Sequence, residues 1–119
     1  MFTDPQSIKI GATTNSLPRI STEGMKSIYA NEDGSVILEI STQRGKRIRQ
    51  VSRMNQTKIT DDPFDDGRNV QIGESVYLVI DRPIAGYTNA QALEAVKGFL
   101  EALSASEYAH VKKLLASES

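Results

Sequence analysis

The chain contains no cysteine. That absence removes disulfides, thiolate nucleophiles and cysteine-based zinc sites together, and it fits synthesis in a reducing compartment. No apolar run approaches the ~18 residues a membrane span needs. The N-terminus, MFTDPQSIKI, has neither a basic n-region nor an apolar h-region, so neither an export signal nor a membrane partner is expected. Histidine occurs once, as His110, with no second histidine to share a metal and no legible Ser-His-Asp pattern. Neither GxxxxGK[ST] nor GxGxxG is present, so nucleotide-dependent chemistry has no motif to rest on. The expectation is a protein that is not an enzyme and carries no cofactor and no metal.

What the chain has is charge, unevenly placed. The net charge is only -1, yet RGKRIRQVSR at 44–53 holds five positive side chains, Arg44, Lys46, Arg47, Arg49 and Arg53. Residues 1–60 carry nine Lys or Arg against five Asp or Glu, and residues 61–119 carry five against ten, so halves of +4 and -5 make the total. Such asymmetry fits a side that faces a polyanion, with a solvated basic hairpin as the plainer alternative. At 119 residues the chain is expected to be one domain with one core.

From residue 7 to about 82 the segments are short, β-rich and punctuated by turns. SIKIGAT alternates Ile8 and Ile10 with polar neighbours, TTNS at 13–16 reads as a hairpin turn, and Pro18 argues for an edge strand. MKSIYA, the turn NEDG and SVILEIST follow, with Val36, Leu38 and Ile40 on one face. The turn QRGK, where Gly45 is free to take a positive φ, reverses the chain into RIRQVSRMNQ. On that arm the two-residue period puts Arg47, Arg49, Val51 and Arg53 on one face and Ile48, Gln50, Ser52 and Met54 on the other. A polar loop, DDPFDDGRNVQIGE, precedes the strand SVYLVI, which turns Val76, Leu78 and Ile80 inward and Ser75, Tyr77 and Val79 outward.

The C-terminal third is helical. Thr88 with Gln91 forms a capping-box pattern ahead of Leu93, Val96, Phe99, Leu100 and Leu103 at helical spacing. Ser104 with Glu107 repeats the box ahead of Tyr108, Val111, Leu114 and Leu115. The predicted fold is α+β: an N-terminal β-hairpin and an antiparallel sheet of five to six strands over 1–82, then two α-helices over 88–116. Two such helices cover only part of one sheet face, and a second copy of the chain, contributing its own helices across a two-fold axis, is the economical solution.

The segment VYLVIDRPIAGYTNAQALEAVKGFLEALSASEYAHVKKLLASES, with its DRP strand end, IAGYT turn, VKGFLEAL helix and KLLASES terminus, resembles the C-terminal part of coat proteins of the single-stranded RNA bacteriophages. The preceding hairpins resemble the rest of that family in order and length, so the resemblance spans essentially the whole chain. It implies an interlocked two-fold homodimer with one sheet shared by both subunits, an icosahedral shell of further copies, and binding of a hairpin in the genomic single-stranded RNA, with repression of translation. It also implies a place in the virion, after assembly in the bacterial host cytoplasm.

Carried over residue by residue, the resemblance puts the RNA-facing positions at Ser41 and Gln43, at Arg47, Arg49 and Arg53, and at Tyr77. An aromatic such as Tyr77 stacks on an unpaired base while arginines neutralise phosphates; the plainer role for Tyr77 is cross-strand packing. The resemblance implies that Leu93, Val96, Phe99, Leu100, Leu103, Val111 and Leu114 face the partner subunit. Asp61, Asp62, Asp65 and Asp66 could hold a hard cation, although their spacing is not that of an EF-hand. A solvated loop is the simpler reading, and the resemblance places it at contacts between dimers. A small cellular dimeric RNA- or DNA-binding regulator is the alternative function, because a basic sheet face serves it equally well.

Overall fold

The structure is a computed structural model, and it describes residues 2–61, 64, 67 and 69–118. It divides into two compact units, Met1–Asp81 and Arg82–Ser119.

The first unit is built from antiparallel hairpins. Strands β1 (Gln6–Ile10) and β2 (Thr13–Leu17) form a two-stranded ribbon. Strands β3 (Arg19–Glu23), β4 (Lys26–Ala30), β5 (Val36–Arg44), β6 (Arg47–Asp61) and β7 (Asn69–Pro83) form a five-stranded meander in chain order. The expected turn at TTNS is instead strand β2. Ile10 pairs with Thr13, leaving Gly11 and Ala12 as the loop, and Gly11 takes φ +61° at the position where two-residue hairpin loops favour glycine. The polar side chain that suggested a turn is used inside the ribbon: Asn15 Nδ2 donates to the Ile8 carbonyl at 3.3 Å. Pro18 sits between β2 and β3, and β3 is an edge strand of the meander.

The NEDG turn is held by its own side chains. Asn31 Oδ1 accepts from the Val36 amide at 3.1 Å, and Asp33 Oδ1 accepts from the Ser35 amide at 3.0 Å. That backbone donor, helped by the Ser35 hydroxyl, holds the Asp33 carboxyl below the ordinary aspartate range. Between β5 and β6 the chain reverses at Gly45 without entering the left-handed region, so the expected positive φ is not used there.

The core lies where the β1–β2 ribbon meets one face of the meander. Leu17, Tyr29, Val36 and Leu38 are buried together, with Ile8, Ile10, Ile40 and Met54 packed against them. Register explains the set: Tyr29 pairs with Leu38, and Leu38 with Met54, so the alternating apolar side chains of three strands share this face. Tyr29 keeps its hydroxyl satisfied, accepting from Arg19 Nη2 at 3.0 Å and Nε at 3.2 Å. Farther along that face the packing thins. Leu78 and Ile80 are half-buried as expected, whereas Val76 is exposed, contrary to its inward assignment.

The second unit is helical over α1 (Asn89–Leu115), in which two helical stretches meet at a kink over 105–108; the expected break is there, but the second stretch lacks its own cap. Its N-terminus is the expected capping box: Thr88 Oγ1 accepts from the Gln91 amide at 3.2 Å and Gln91 Oε1 from the Thr88 amide at 3.0 Å. The second box does not form. Ser104 Oγ donates back to the Glu101 carbonyl at 3.3 Å, and Ala105 to Tyr108 leave helical geometry, with Ser106, Glu107 and Tyr108 in the left-handed region. Three adjacent left-handed L-residues cost about 1–2 kcal/mol each, so the break is where strain in this element concentrates.

Candidate nucleic-acid interface

The meander face opposite the core carries the basic arm. The β5–β6 register sets Glu39 opposite Arg53, Ser41 opposite Val51 and Gln43 opposite Arg49. The two-residue period then places Arg47, Arg49 and Arg53 on the same side as Ser41 and Gln43, away from Leu38 and Met54. All three arginines are exposed, as is Gln43, and Ser41 is half-buried. β7 brings Tyr77 to the same face, because the Arg53 guanidinium lies over its ring at 5.5 Å from the centroid. The six residues expected at the RNA-facing positions therefore occupy one surface.

The arginines are not equivalent. Arg53 is held in a polar network: its Nε donates to Asn55 Oδ1 at 3.0 Å, its Nη2 to Ser75 Oγ at 3.3 Å, and Ser75 Oγ donates to the same Asn55 oxygen at 2.6 Å. Glu39 lies opposite in register, but the Arg53 head goes to this network and to the tyrosine face instead. Arg47 donates through Nε to Asp81 Oδ1 at 2.9 Å, the one ion pair among the described residues. Arg49 has no ion-pair partner among them.

Such an arrangement suits an extended polyanion with unstacked bases. Tyr77 is 58% exposed with the Arg53 guanidinium against its ring, so more than half of the residue is open to a base that stacks on it. Asn55, Ser75 and Asp81 were not among the expected site residues. The period that aligned the arginines carries on from Arg53 to Asn55, and the period of β7 runs from Ser75 through Tyr77 and Val79 to Asp81, so the placement was available in the sequence. Their pairing across β6 and β7 was not.

On α1, Leu93, Phe99, Leu100 and Leu114 are exposed, and Val96, Leu103 and Val111 are half-buried. Leu93, Val96, Leu100, Leu103, Tyr108 and Val111 line one open cleft across the break. The helical residues expected to meet a partner thus form an uncovered apolar surface within this unit, apart from Phe99 and Leu114, which lie outside the cleft lining. His110 is exposed on the same element. Asp62, Asp65 and Asp66 of the acidic loop lie outside the described residues, as does the side chain of Asp61. Among the described residues no group of acidic or histidine side chains is arranged to hold a metal ion.

No protein-family model matches the chain, and no curated protein matches it. Solved structures do. A virus-like particle of bacteriophage AVE019 is similar at a TM-score of 0.75 and 10% identity, over 89% of this chain and 90% of the other. A virus-like particle of Beihai levi-like virus 21 is similar at 0.70 and 9% identity, over 100% and 97% of the two chains. The coat protein of bacteriophage EMS014 is similar at 0.68 and 16% identity, over 87% and 74%. With backbone similarity of this degree over most of each chain, the chain has the levivirus-type coat-protein fold.

Proposed function

We propose that this chain is a capsid protein whose copies assemble into a shell around single-stranded RNA, with the exposed face of β5, β6 and β7 turned toward the nucleic acid. The observation that carries the reading is the coincidence of a coat-protein fold, shared with virus-like particles, and a single exposed face bearing Arg47, Arg49, Arg53 and Tyr77.

In this reading the subunit acts as a two-fold homodimer. The uncovered apolar surface of α1 supports it, because an exposed stripe of that kind is the usual mark of a protein interface. The arginines supply sequence-independent attraction to phosphates, and Tyr77 stacks on a base that is not paired, as in the loop of a hairpin. Occupying such a hairpin at a start site would repress translation, and the assembled particle, formed in a bacterial cytoplasm, is the virion shell. The chemistry is binding and assembly, with no bond made or broken.

The test is to express the chain alone and examine it by size-exclusion chromatography with electron microscopy, reading the nucleic-acid to protein absorbance ratio across the peak. Uniform, RNA-rich spheres are expected. A dimer that stops there and carries no RNA would favour a small cellular regulator of RNA or DNA and refute the shell.

A further inference from the structure

We propose that Asp81 limits how tightly this face holds RNA, by occupying the Arg47 guanidinium that would otherwise take a phosphate. This rests on the RNA-facing reading of the β5–β7 surface and adds to it a residue that sets the balance between nonspecific and structured binding.

Three arginines on one face are nominally three phosphate contacts, but the structure gives them different partners. The Arg53 guanidinium is bound to neutral acceptors, Asn55 and Ser75, and to the Tyr77 ring, so its full charge remains available to an anion. Arg49 has no ion-pair partner among the described residues. Arg47 alone is neutralised, 2.9 Å from the Asp81 carboxylate, with both side chains about half exposed. An exposed pair of this kind adds little to stability, so its removal leaves the sheet intact. Its effect falls on the ligand instead. A phosphate reaching Arg47 must either displace Asp81 or approach a carboxylate, and either lowers the number of counterions released per RNA bound. The residual affinity then depends more on Arg49, Arg53 and Tyr77 on the same face. Asp81 thereby biases the face away from indiscriminate binding of any RNA.

The test measures binding of a short, unstructured oligouridylate to the full chain, kept unassembled, by fluorescence anisotropy across a salt series. Asp81→Asn and Asp81→Ser should both bind more tightly at low salt. Their salt dependence should be steeper by about 0.7 in the log-log slope, the single-strand value for one added phosphate contact, so their advantage shrinks about 2.6-fold from about 50 to about 200 mM salt. Adding Arg47→Gln to Asp81→Asn should abolish that gain. Equal binding by wild type and both Asp81 variants would overturn the proposal, as would a gain that survives loss of Arg47, because Asp81 would then act through the general field. Arg49→Gln separates the two levels. If it weakens binding while the Asp81 variants gain nothing, the RNA face stands and the role of Asp81 falls; if it has no effect on binding, the RNA-facing reading falls with it.

Discussion

Leu17→Ala tests whether one side chain pins the β1–β2 ribbon to the meander. Leu17 is fully buried at the end of β2, in the cluster with Tyr29, Val36 and Leu38. Truncation to alanine removes the isopropyl end of the side chain, three carbons, or about 2.4 kcal/mol of transfer energy at about 0.8 kcal/mol each. The cavity adds to this, because Tyr29, the other fully buried large side chain, is held by Arg19 and is not free to swing into the gap. A loss of about 3 kcal/mol follows, within the range for buried Leu→Ala changes. With a urea m-value of about 1–3 kcal/mol/M, the midpoint should fall by about 1–3 M at fixed protein concentration. Ile20→Ala is the control: Ile20 is 63% exposed on edge strand β3 and should change stability by less than about 0.5 kcal/mol. A Leu17→Ala loss no larger than the Ile20→Ala value would show that burial of Leu17 does not hold the ribbon, and the account of the core would be wrong.

Other consequences are as direct. Tyr77→Ala should cost about 1–3 kcal/mol in binding an RNA hairpin with an unpaired loop base, while Tyr77→Phe retains most of the affinity, as fluorescence titration would show. Thr88→Ala removes the acceptor for the Gln91 amide and should lower stability by about 1 kcal/mol, measured by chemical denaturation. The Asp33 carboxyl is depressed in the folded state, so its contribution is present above the unfolded aspartate pKa and is lost as pH falls through the folded one. Its NMR titration midpoint should therefore lie below that of an unstructured aspartate and rise toward it in Ser35→Pro, which removes the amide donor.

Much of the candidate interface was legible because strands impose a strict two-residue period. Arg47, Arg49 and Arg53 could be aligned from spacing alone, and the phase of Tyr77 followed from its neighbours Leu78 and Ile80. The opposite side of β6 alternates Ile48 and Met54 with only Gln50 and Ser52, yet Ile48 is buried and Met54 joins the core, because the core draws on the ribbon, β4 and β5 as well as on β6. Sequence reasoning failed where local polarity had two uses. TTNS resembles a turn, but Gly11 takes the reversal and Asn15 spends its amide on the Ile8 carbonyl. Ser104 resembles an N-cap, but its hydroxyl returns to Glu101 and the chain breaks after it without a new box. The Arg47–Asp81 pair joins residues 34 positions apart, a contact that depends on how β7 sits beside β6 and has no local signature.

The most direct test of the account is ultraviolet cross-linking of RNA inside particles formed by the chain, followed by mass spectrometric mapping of the adducts. The account predicts adducts concentrated on the β5–β7 face, with Tyr77 prominent and the β1–β2 ribbon unlabelled. Adducts on the ribbon with none on β5–β7, or particles that hold no RNA, would contradict it.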